Sequence, residues 1–322
     1  MRVSVILPTY NRGYILAEAL DSVLKQSYED FELIVVDDGS TDNTADLVRS
    51  VQSEKIRYIR HQRNCGVSAA LNSGVSAASG EFIGFLGSDD LWKPEKLERQ
   101  INFLCRHPEV DFVFSDVEIV VASEVIPSII GLMKSFPKFL EGKLRGEEYI
   151  LSGREMYLCL LQELPIKPTA SLIKRDVFAR VGMFDETWRS GEDWEHLLRL
   201  SPGTCFGYMN VPLASMRQMA DATHLVYREQ DKLFLLKLFM REKARLRGDR
   251  EALRAVNRGI SNHCNNLAWY YLLSGKRVKS VSVYFRGFRE TGEPRMLLRA
   301  ASALIPLSLR GFLRRAVGKA HL

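Results

Sequence analysis

The chain has 322 residues, of which 46% are hydrophobic and 26% charged, a composition typical of a globular protein with one large domain or two. Five scattered cysteines without a CxxC pair argue against structural zinc and predict a reducing, cytosolic compartment. We expect neither a signal peptide nor a membrane span, since the first predicted strand begins at once and apolar stretches of about 20 residues are missing.

The net charge of +6 is distributed unevenly along the chain. Residues 217–322 hold 22 Lys+Arg and 8 Asp+Glu, a net charge of +14, whereas residues 1–216 hold 23 and 31, a net charge of −8. We therefore predict two regions, an acidic domain at 1–216 and a basic appendage at 217–322. The basic region would suit an anionic surface, either membrane or nucleic acid.

The first 117 residues alternate predicted strands with predicted helices. Short runs rich in Val, Ile and Phe are typical of buried strands, and the amphipathic or alanine-rich stretches between them are typical of helices. We predict strands at 3–7, 31–36, 56–59, 81–86 and 111–117. One predicted helix contains Leu16 to Leu24, and a second begins with Ser40 as its N-cap. Two more predicted helices span 66–78 and 94–105. This alternation predicts an α/β fold with a doubly wound, mostly parallel sheet.

The remaining chain has a weaker pattern. Residues 123–165 lose the periodicity and predict a mobile loop region beside the site. Compact structure resumes over 166–211, with helices at 174–181 and 192–200. After about residue 217 the pattern is almost wholly helical, with a helical hairpin that bends at Gly275.

Two acidic pairs follow predicted strands: Asp37-Asp38 the second and Asp89-Asp90 the fourth. Ligands of parallel sheets bind just beyond the carboxyl ends of the strands. Because carboxylates repel anions unless a cation lies between them, we infer a divalent metal and a phosphate-bearing ligand. Asp38 would accept hydrogen bonds from a ribose or base, or the first pair only forms a turn. Asp89 would bind Mn²⁺ or Mg²⁺, with Asp90 in a structural role.

A third acidic motif, Glu192-Asp193, stands at the start of the helix predicted over 192–200. The helix dipole there favours a carboxylate, which suits a general base, although acidic first turns are common for stability alone. The chain contains neither GxGxxG after the first strand nor GxxxxGK[ST], so dinucleotide-binding and P-loop chemistry lose their strongest signals.

Six segments in order resemble the family 2 glycosyltransferases, which are inverting enzymes with the GT-A fold. They are VSVILPTYNR (3–12), IVVDDGSTDNT (34–44), NCG (64–66) with Asn72, GEFIGFLGSDDLW (80–92), VGMFDE (181–186) and ED (192–193). The resemblance covers residues 3–217. It implies that Asp89 binds the metal and that Asp193 is the catalytic base. We therefore expect Asp38, Asp89 and Asp193 to converge on one nucleotide-sugar cavity. The resemblance also implies a set of substrate-binding residues: Pro8, Thr9, Tyr10, Asp38, Asn72, Ser88 and Glu192.

This chain departs from the family pattern at three positions. Gly87 stands where family members usually have Asp, and Leu71 stands where an arginine is common. Met219 replaces the histidine of a frequent Arg-x-His motif, and His224 nearby is either its substitute or an ordinary surface histidine. These departures bear on metal affinity and activity, not on the fold.

The C-terminal segment 296–313 contains leucines interspersed with arginines such as Arg299 and Arg310. A basic amphipathic segment of this kind lies on an anionic bilayer surface, or packs on the catalytic domain with its arginines in water. We favour the membrane, because lipid-linked acceptors would place the protein there, on the inner face. Nucleic acid is not expected, since no binding motif accompanies the charge.

The resemblance thus predicts a hexosyltransferase-like enzyme that moves a sugar from a nucleoside diphosphate sugar to an acceptor hydroxyl. The acceptor would be a saccharide or lipid-linked molecule in cell-surface polysaccharide or lipopolysaccharide assembly, with residues 123–165 on its side of the site. Two alternatives remain. A nucleotide-sugar-binding or scaffold protein would have kept the fold and lost turnover, and a metal-dependent nucleotidyltransferase would release pyrophosphate.

Overall fold

The computed structural model describes residues 1–122, 124–143, 146–188, 190–218 and 229–304. The chain divides into two compact units, Met1–Leu225 and Val226–Leu322. The predicted boundary between residues 216 and 217 stays a prediction, because residues 219–228 lie outside the described ranges.

Within the described residues, ten strands of the first unit form one sheet. In chain order they are β1 (Val3–Thr9), β2 (Phe31–Asp37), β3 (Ile56–Arg60), β4 (Phe82–Phe85), β5 (Leu91–Trp92), β6 (Phe112–Val121), β7 (Glu124–Ile126), β8 (Glu148–Leu151), β9 (Ser171–Lys174) and β10 (Phe206–Gln218).

The main path of the sheet runs β3-β2-β1-β4-β9-β6-β10-β5, with β7 on β6 and β8 on β10. Parallel pairing joins β3, β2, β1 and β4, and also joins β6 to β10. Strand β9 is antiparallel to both β4 and β6, so these two blocks point the same way. The prediction of an α/β fold with a mostly parallel central sheet is confirmed.

Helices cover the sheet and build the second unit. Those of the first unit are α1 (Leu16–Leu24), α2 (Thr44–Ser50), α3 (Val67–Ala77), α4 (Lys96–Arg106), α5 (Phe136–Leu140), α6 (Gly153–Leu160), α7 (Asp176–Val181) and α8 (Glu192–Leu200). Those of the second unit are α9 (Glu229–Arg245), α10 (Arg250–Leu273), α11 (Arg277–Thr291) and α12 (Arg295–Leu304).

The core of the first unit follows from the apolar runs in the sequence. Strands β1 and β2 are buried along almost their whole length, as expected of central parallel strands. Helix α1 buries Leu16, Leu20 and Val23 at helical spacing. Helix α3 packs on β1 and β2, and Gly74 permits the approach, since a Cβ there would lie 2.4 Å from Cγ2 of Ile6. These contacts fix the elements whose ends carry the acidic pairs.

The helix expected to begin at Ser40 begins four residues later, at Thr44. Ser40 instead belongs to a turn, in which its N–H donates to Oδ1 of Asp37 at 2.8 Å and its hydroxyl accepts from the N–H of Asn11 at 2.9 Å. Asp42 accepts from the N–H of Thr44 at 3.0 Å. The prediction of Ser40 as N-cap was wrong because its hydroxyl bonds to another loop.

The sequence predicted a loop region over residues 123–165, but the structure has regular elements there. The region contains β7, α5, β8 and α6. The first of these strands pairs with β6 and the second with β10. Helix α6 begins with a capping box formed by Ser152 and Glu155. Strands β9 and β10 had no counterpart in the prediction, because their sequences lack a clear alternation.

The described regular elements of the second unit are all helices. Helices α10 and α11 form the predicted hairpin, and Gly275 in the bend has φ +73°, a left-handed value that glycine adopts without strain. Among the described residues, no helix combines the length and the apolar character needed to cross a lipid bilayer. Residues 305–322, which include Arg310 and Leu313 of the basic C-terminal segment, lie outside the described ranges.

Candidate functional site

A cavity of about 370 Å³ opens beyond the carboxyl ends of β1, β2 and β4. Parallel sheets place ligands at this edge, because the turns after several strands meet there. Its lining residues are Pro8, Thr9, Tyr10, Arg12, Asp38, Asn64, Gly66, Val67, Ala70, Gly87, Ser88 and Asp89.

The cavity brings together many residues that the sequence had selected as a site, namely Pro8, Thr9, Tyr10, Asp38, Ser88 and Asp89. Asn72, Glu192 and Asp193 are not among its lining residues. The hydroxyl of Thr9 is buried and has no hydrogen-bond partner among the described residues. A buried polar atom without a partner is costly, so this wall of the cavity suits a polar ligand.

Asp38 is held in place through both carboxylate oxygens. Oδ1 lies 2.7 Å from Nδ1 of His61 and accepts from the N–H of Cys65 at 2.9 Å, and Oδ2 accepts from the N–H of Gly66 at 2.8 Å. Ligand atoms of Asp38, His61 and Cys65 lie within 4.8 Å of one another. Because the carboxylate is already engaged by the ring and the backbone, we interpret this group as the support of one cavity wall.

The adjacent Asp37 has a different environment. It is fully buried, and its carboxylate accepts from the N–H of Ser40 and from the hydroxyl of Tyr58 at 2.5 Å. Burial, followed by the bond to Asp37, raises the pKa of the Tyr58 hydroxyl well above its usual range. Asp37 therefore shapes the turn, and Asp38 is the member of the pair that reaches the cavity.

The second acidic pair lies on a short connection between β4 and β5. Strand β5 pairs with β10, which brings Arg217 beside the connection. The Nε of Arg217 donates to the backbone oxygen of Asp89 at 2.6 Å, and its NH1 contacts Glu18. Arg217 is the first residue of the Arg-x-His pattern that Met219 interrupts, and the sequence assigned it no role of its own. The structure shows that it fastens the loop carrying the predicted metal ligand.

Asp89 and Asp90 also differ in their surroundings. Asp89 is 9% exposed and lines the cavity, where its Oδ2 lies 4.0 Å from NH2 of Arg12. Burial, and next the charge of Asp89, raises the pKa of Asp90 to about 7. Arg12 was not selected from the sequence, although it closes the PTYNR segment that forms the turn after β1.

The donor atoms on this loop fit a hard divalent cation. Asp89 and Ser88 both line the cavity, and a carboxylate and a hydroxyl both offer oxygen. Gly87 adds none, and a Cβ built on it would lie 3.0 Å from Oδ2 of Asp90 and 3.2 Å from Oδ1 of Asp89. The carboxylates thus occupy the space beside Gly87. Mg²⁺ and Mn²⁺ sites with one protein carboxylate are completed by water and substrate phosphates.

Asp193 lies in the first turn of α8, as predicted, but it does not line the cavity that contains Asp38 and Asp89. It lines a separate, largely apolar cavity of about 20 Å³ together with Phe85, Pro168 and His196. Burial lowers the pKa of Lys167, and the negative charge of Asp193 opposes this shift. The expectation that Asp38, Asp89 and Asp193 line one cavity holds for the first two alone.

Asn72 connects α3 to the turn that precedes α8. Its amide nitrogen donates to the backbone oxygen of Phe184 at 3.0 Å and to Glu186 at 2.9 Å, and its amide oxygen accepts from the N–H of Phe184 at 3.0 Å. In this structure its amide serves the turn, and its predicted role in substrate binding stays a prediction.

The turn itself is organised by Asp185. This carboxylate accepts from the N–H and hydroxyl of Thr187 and from Nε1 of Trp188 at 3.1 Å, and these hydrogen bonds lower its pKa. Arg199 of α8 donates to the backbone oxygens of Val181 and Met183, both at 2.8 Å. The turn is therefore fixed from both sides, which sets the position of the helix that begins with Glu192 and Asp193.

Comparison with known proteins agrees with this geometry. The model of the family described as glycosyl transferase family 2 matches residues 4–181. Escherichia coli WfgD, a UDP-Glc:alpha-D-GlcNAc-diphosphoundecaprenol beta-1,3-glucosyltransferase, is 35% identical over 132 residues, which are 41% of this chain and 52% of that protein. The chain therefore belongs to glycosyl transferase family 2.

Solved structures show the same fold. The structure of S. aureus TarS 1-349 in complex with UDP-GlcNAc has a TM-score of 0.67 at 19% identity, with 98% of this chain and 87% of that chain covered. Mannosyltransferase PcManGT from Pyrobaculum calidifontis, in complex with GDP-Man and Mn²⁺, has a TM-score of 0.59 at 19% identity, with 98% and 79% covered. The predicted GT-A fold is confirmed.

The chain spans only part of its curated relatives. It covers 52% of WfgD and between 29% and 33% of four bacterial proteins described as uncharacterized glycosyltransferases.

Proposed function

We propose that this protein transfers a sugar from a nucleoside diphosphate sugar to an acceptor hydroxyl, with inversion at the anomeric carbon. The observation that carries the proposal is the cavity that joins Asp38 to Asp89 at the carboxyl ends of β2 and β4 in a chain of this family. Relatives and structural neighbours whose names include UDP-Glc, UDP-GlcNAc and GDP-Man support the class of donor.

The nucleoside end of the donor would bind at the wall built by Pro8, Thr9, Tyr10 and Asp38. The Thr9 hydroxyl would gain a partner, and Asp38 would accept from a base or ribose N–H or O–H with its remaining lone pairs. The backbone bonds to Asp38 hold the carboxylate in one orientation, so little side-chain entropy is lost on binding.

The diphosphate end would lie at Ser88 and Asp89. These residues would hold Mn²⁺ or Mg²⁺, which supplies Lewis-acid stabilisation of charge that develops on the leaving diphosphate. The Mn²⁺ in the PcManGT complex supports a divalent cation in general. Arg217 keeps the loop in place through the backbone oxygen of Asp89, so the carboxylate is positioned before any ligand binds.

Asp193 would take the proton from the attacking acceptor hydroxyl. Asp193 lies in the first turn of α8, and a carboxylate is one of the side-chain groups that serve as a general base. The anchored turn 182–188 and α8 would hold this base on the acceptor side, with Glu192 beside it.

The decisive experiment is a screen for transfer and hydrolysis of UDP-, GDP-, ADP- and CDP-sugars with Mn²⁺ or Mg²⁺. We expect a nucleoside diphosphate product, and we expect Asp193→Asn to lower the rate by roughly two to four orders of magnitude, the range of general-base catalysis. Asp89→Ala should abolish the metal dependence. The control is Asp46→Asn, because Asp46 lies on α2 and pairs only with Arg49 among the described residues. Wild-type rates in both site variants would refute these roles.

A second candidate function is nucleotide-sugar binding without turnover, and Gly87 is the observation that favours it. The loop offers one cavity-lining carboxylate, so metal affinity would be weak. Calorimetry separates the two proposals: nucleotide binding that does not depend on metal, with no turnover of any donor, favours the binding protein. Release of pyrophosphate would instead identify a nucleotidyltransferase.

We place the enzyme at the cytoplasmic face of a membrane, acting on a saccharide or lipid-linked acceptor in cell-surface polysaccharide assembly. The diphosphoundecaprenol in the name of WfgD and the basic C-terminal region both support this placement.

A further inference from the structure

The charges that face the cavity are unusual for a site that is to receive an anion. Among the described lining residues, the ionisable groups with a charge at neutral pH are Arg12, Asp38 and Asp89. The carboxylate of Asp38 is compensated by two backbone N–H groups and the ring of His61. At the Asp89 end, Arg12 is the cation that the described lining residues provide.

We infer that Arg12 binds the diphosphate of the donor directly. Its positive charge would add to that of a metal ion bound at the loop of Gly87 and Asp89, which alone would not neutralise the diphosphate. This inference rests on the proposed function. It assigns a donor-binding role to a residue outside the predicted site.

The backbone of Arg12 is fixed where β1 turns into α1. Its N–H donates to the hydroxyl of Thr44 at 3.3 Å, and its carbonyl oxygen accepts from the N–H groups of Ile15 at 3.0 Å and Leu16 at 2.9 Å. The start of α1 therefore determines where the side chain emerges. The arginine is on a rigid turn and can be positioned accurately.

The side chain of Arg12 reaches from this turn to the loop at Asp89. It is 15% exposed, its NH1 donates to the hydroxyl of Tyr14 at 2.5 Å, and its NH2 lies 4.0 Å from Oδ2 of Asp89. That separation is too long for a hydrogen bond, so the ion pair with Asp89 is loose. A phosphate oxygen that enters between or beside these groups can replace this weak contact with a charge-assisted hydrogen bond.

Charge balance explains why the arginine would be needed. At neutral pH the diphosphate of a sugar nucleotide carries about two negative charges, one for each phosphate. A divalent cation held by Asp89 alone leaves one negative charge unbalanced. Gly87 contributes no carboxylate, so a weakly held metal would be lost easily. Arg12 balances this remaining charge when the metal is bound and offsets one negative charge when it is absent, and a guanidinium matches phosphate oxygens in geometry.

The test measures how the affinity for a nucleotide depends on its phosphates. Binding of UDP and GDP to the full chain is measured by calorimetry, with Mn²⁺ and again with EDTA, for wild type, Arg12→Gln and Arg12→Lys. Uridine and guanosine, which lack the diphosphate, are titrated by NMR against the same proteins. Arg49→Gln is the matched control, because Arg49 is exposed on α2 and pairs with Asp46.

We expect Arg12→Gln to weaken binding of the preferred diphosphate by roughly 10- to 100-fold, the range for hydrogen bonds to charged groups, both with Mn²⁺ and with EDTA. Arg12→Lys should recover part of the affinity because it keeps the charge but not the planar fork. Nucleoside affinity and the control variant should be unchanged. Thermal melting of each variant shows whether the fold is retained.

Three results overturn the inference. Equal losses for nucleoside and diphosphate mean that Arg12 acts through the fold or the base. An unchanged affinity for diphosphate means that it makes no contact there, and a loss confined to the Mn²⁺ series means that it acts only through Asp89.

If wild type binds neither UDP nor GDP with Mn²⁺, the proposed function fails for these nucleotides and the inference falls with it. Binding by wild type with unchanged Arg12 variants rejects the inference alone.

Discussion

At the residue scale, adjacent side chains of the same type have different roles because they point into different surroundings. Asp37 is buried beneath the turn and bonds to Tyr58, whereas Asp38 lines the cavity. Asp89 lines the cavity, whereas Asp90 is not among its lining residues and has a raised pKa. The sequence identified both pairs as a ligand site. The division of roles within the first pair depends on the contact with Tyr58, more than 20 positions away in the chain.

His196 provides a pH test of the structure around Asp193. Burial lowers the pKa of this imidazole to about 4, and the ring stacks on Phe178 at a centroid distance of 5.3 Å. The unfolded chain binds a proton near the ordinary value of 6.5, so this contribution to stability is present above pH 6.5 and is lost as the pH falls toward 4. Between pH 7 and pH 5 we expect the wild type to lose about 2 kcal/mol more than His196→Gln.

Urea denaturation of both proteins at the two pH values, followed by tryptophan fluorescence, measures this difference. The raised pKa of Asp90 acts in the opposite direction, and His263 in the second unit acts in the same direction as His196. Both groups are present in both proteins, so the comparison removes them. Parallel pH dependences would show that His196 does not stay neutral in the folded state.

At the element scale, the region that the sequence predicted as a loop is built around two carboxylates. Asp116 in β6 accepts from the hydroxyl of Ser128 and from the N–H groups of Ile129 at 3.1 Å and Ile130 at 3.2 Å. Glu163 accepts from three successive N–H groups, those of residues 134, 135 and 136, at 3.0, 2.7 and 3.1 Å. The hydrophobic periodicity of the sequence cannot predict these hydrogen bonds, because acceptor and donors are 12 to 29 positions apart. The strands and helices of residues 1–117 were predictable because their patterns are local.

We predict that Glu163→Ala lowers the free energy of unfolding by roughly 1–3 kcal/mol, because three N–H groups lose a charged acceptor. Hydrogen exchange at residues 134–136 should accelerate more than exchange in β1 or β2. Glu141→Ala is the control, since that residue is exposed at the end of α5. Equal effects of the two substitutions would contradict the role assigned to Glu163.

The contact between α3 and β1 offers a second test at this scale. Alanine at Gly74 favours the helix by about 1 kcal/mol, but its Cβ would lie 2.4 Å from the fully buried Ile6. Overpacking of this kind costs roughly 1–3 kcal/mol, so we expect a net loss of stability in thermal melting. Nucleotide affinity should fall too, because Val67 and Ala70 of this helix line the cavity.

Gly203→Ala is the control for the Gly74 substitution, because a Cβ at Gly203 has no neighbour within 4 Å and its backbone is not left-handed. A Gly74→Ala protein that melts at or above the wild-type temperature would show that α3 can move away from β1 at no cost.

At the scale of the whole molecule, the acidic first unit and the basic helical second unit differ in how much of their structure could be predicted from the sequence. The hairpin of α10 and α11 was predictable because the sequence has a glycine, Gly275, at its bend. The structure gives this glycine a positive φ. In the first unit, the shared cavity of Asp38 and Asp89 followed from strand ends. The place of Asp193 did not follow, because it depends on the anchored turn 182–188.

The basic unit gives the last prediction. In α12, Leu298 is 65% exposed and Leu304 63% exposed, beside Arg295 and Arg299. Exposed apolar side chains among cations suit an anionic lipid surface, where each Lys or Arg contributes about 1 kcal/mol. We expect the protein to sediment with vesicles that contain phosphatidylglycerol, and less so as salt rises. Replacing five arginines by Gln (Arg295, Arg299, Arg310, Arg314, Arg315) should abolish binding, whereas Arg49→Gln should not. Equal binding to neutral vesicles would contradict the role of the arginines, and no sedimentation with either kind of vesicle would instead favour helices that pack on protein, with their arginines in water.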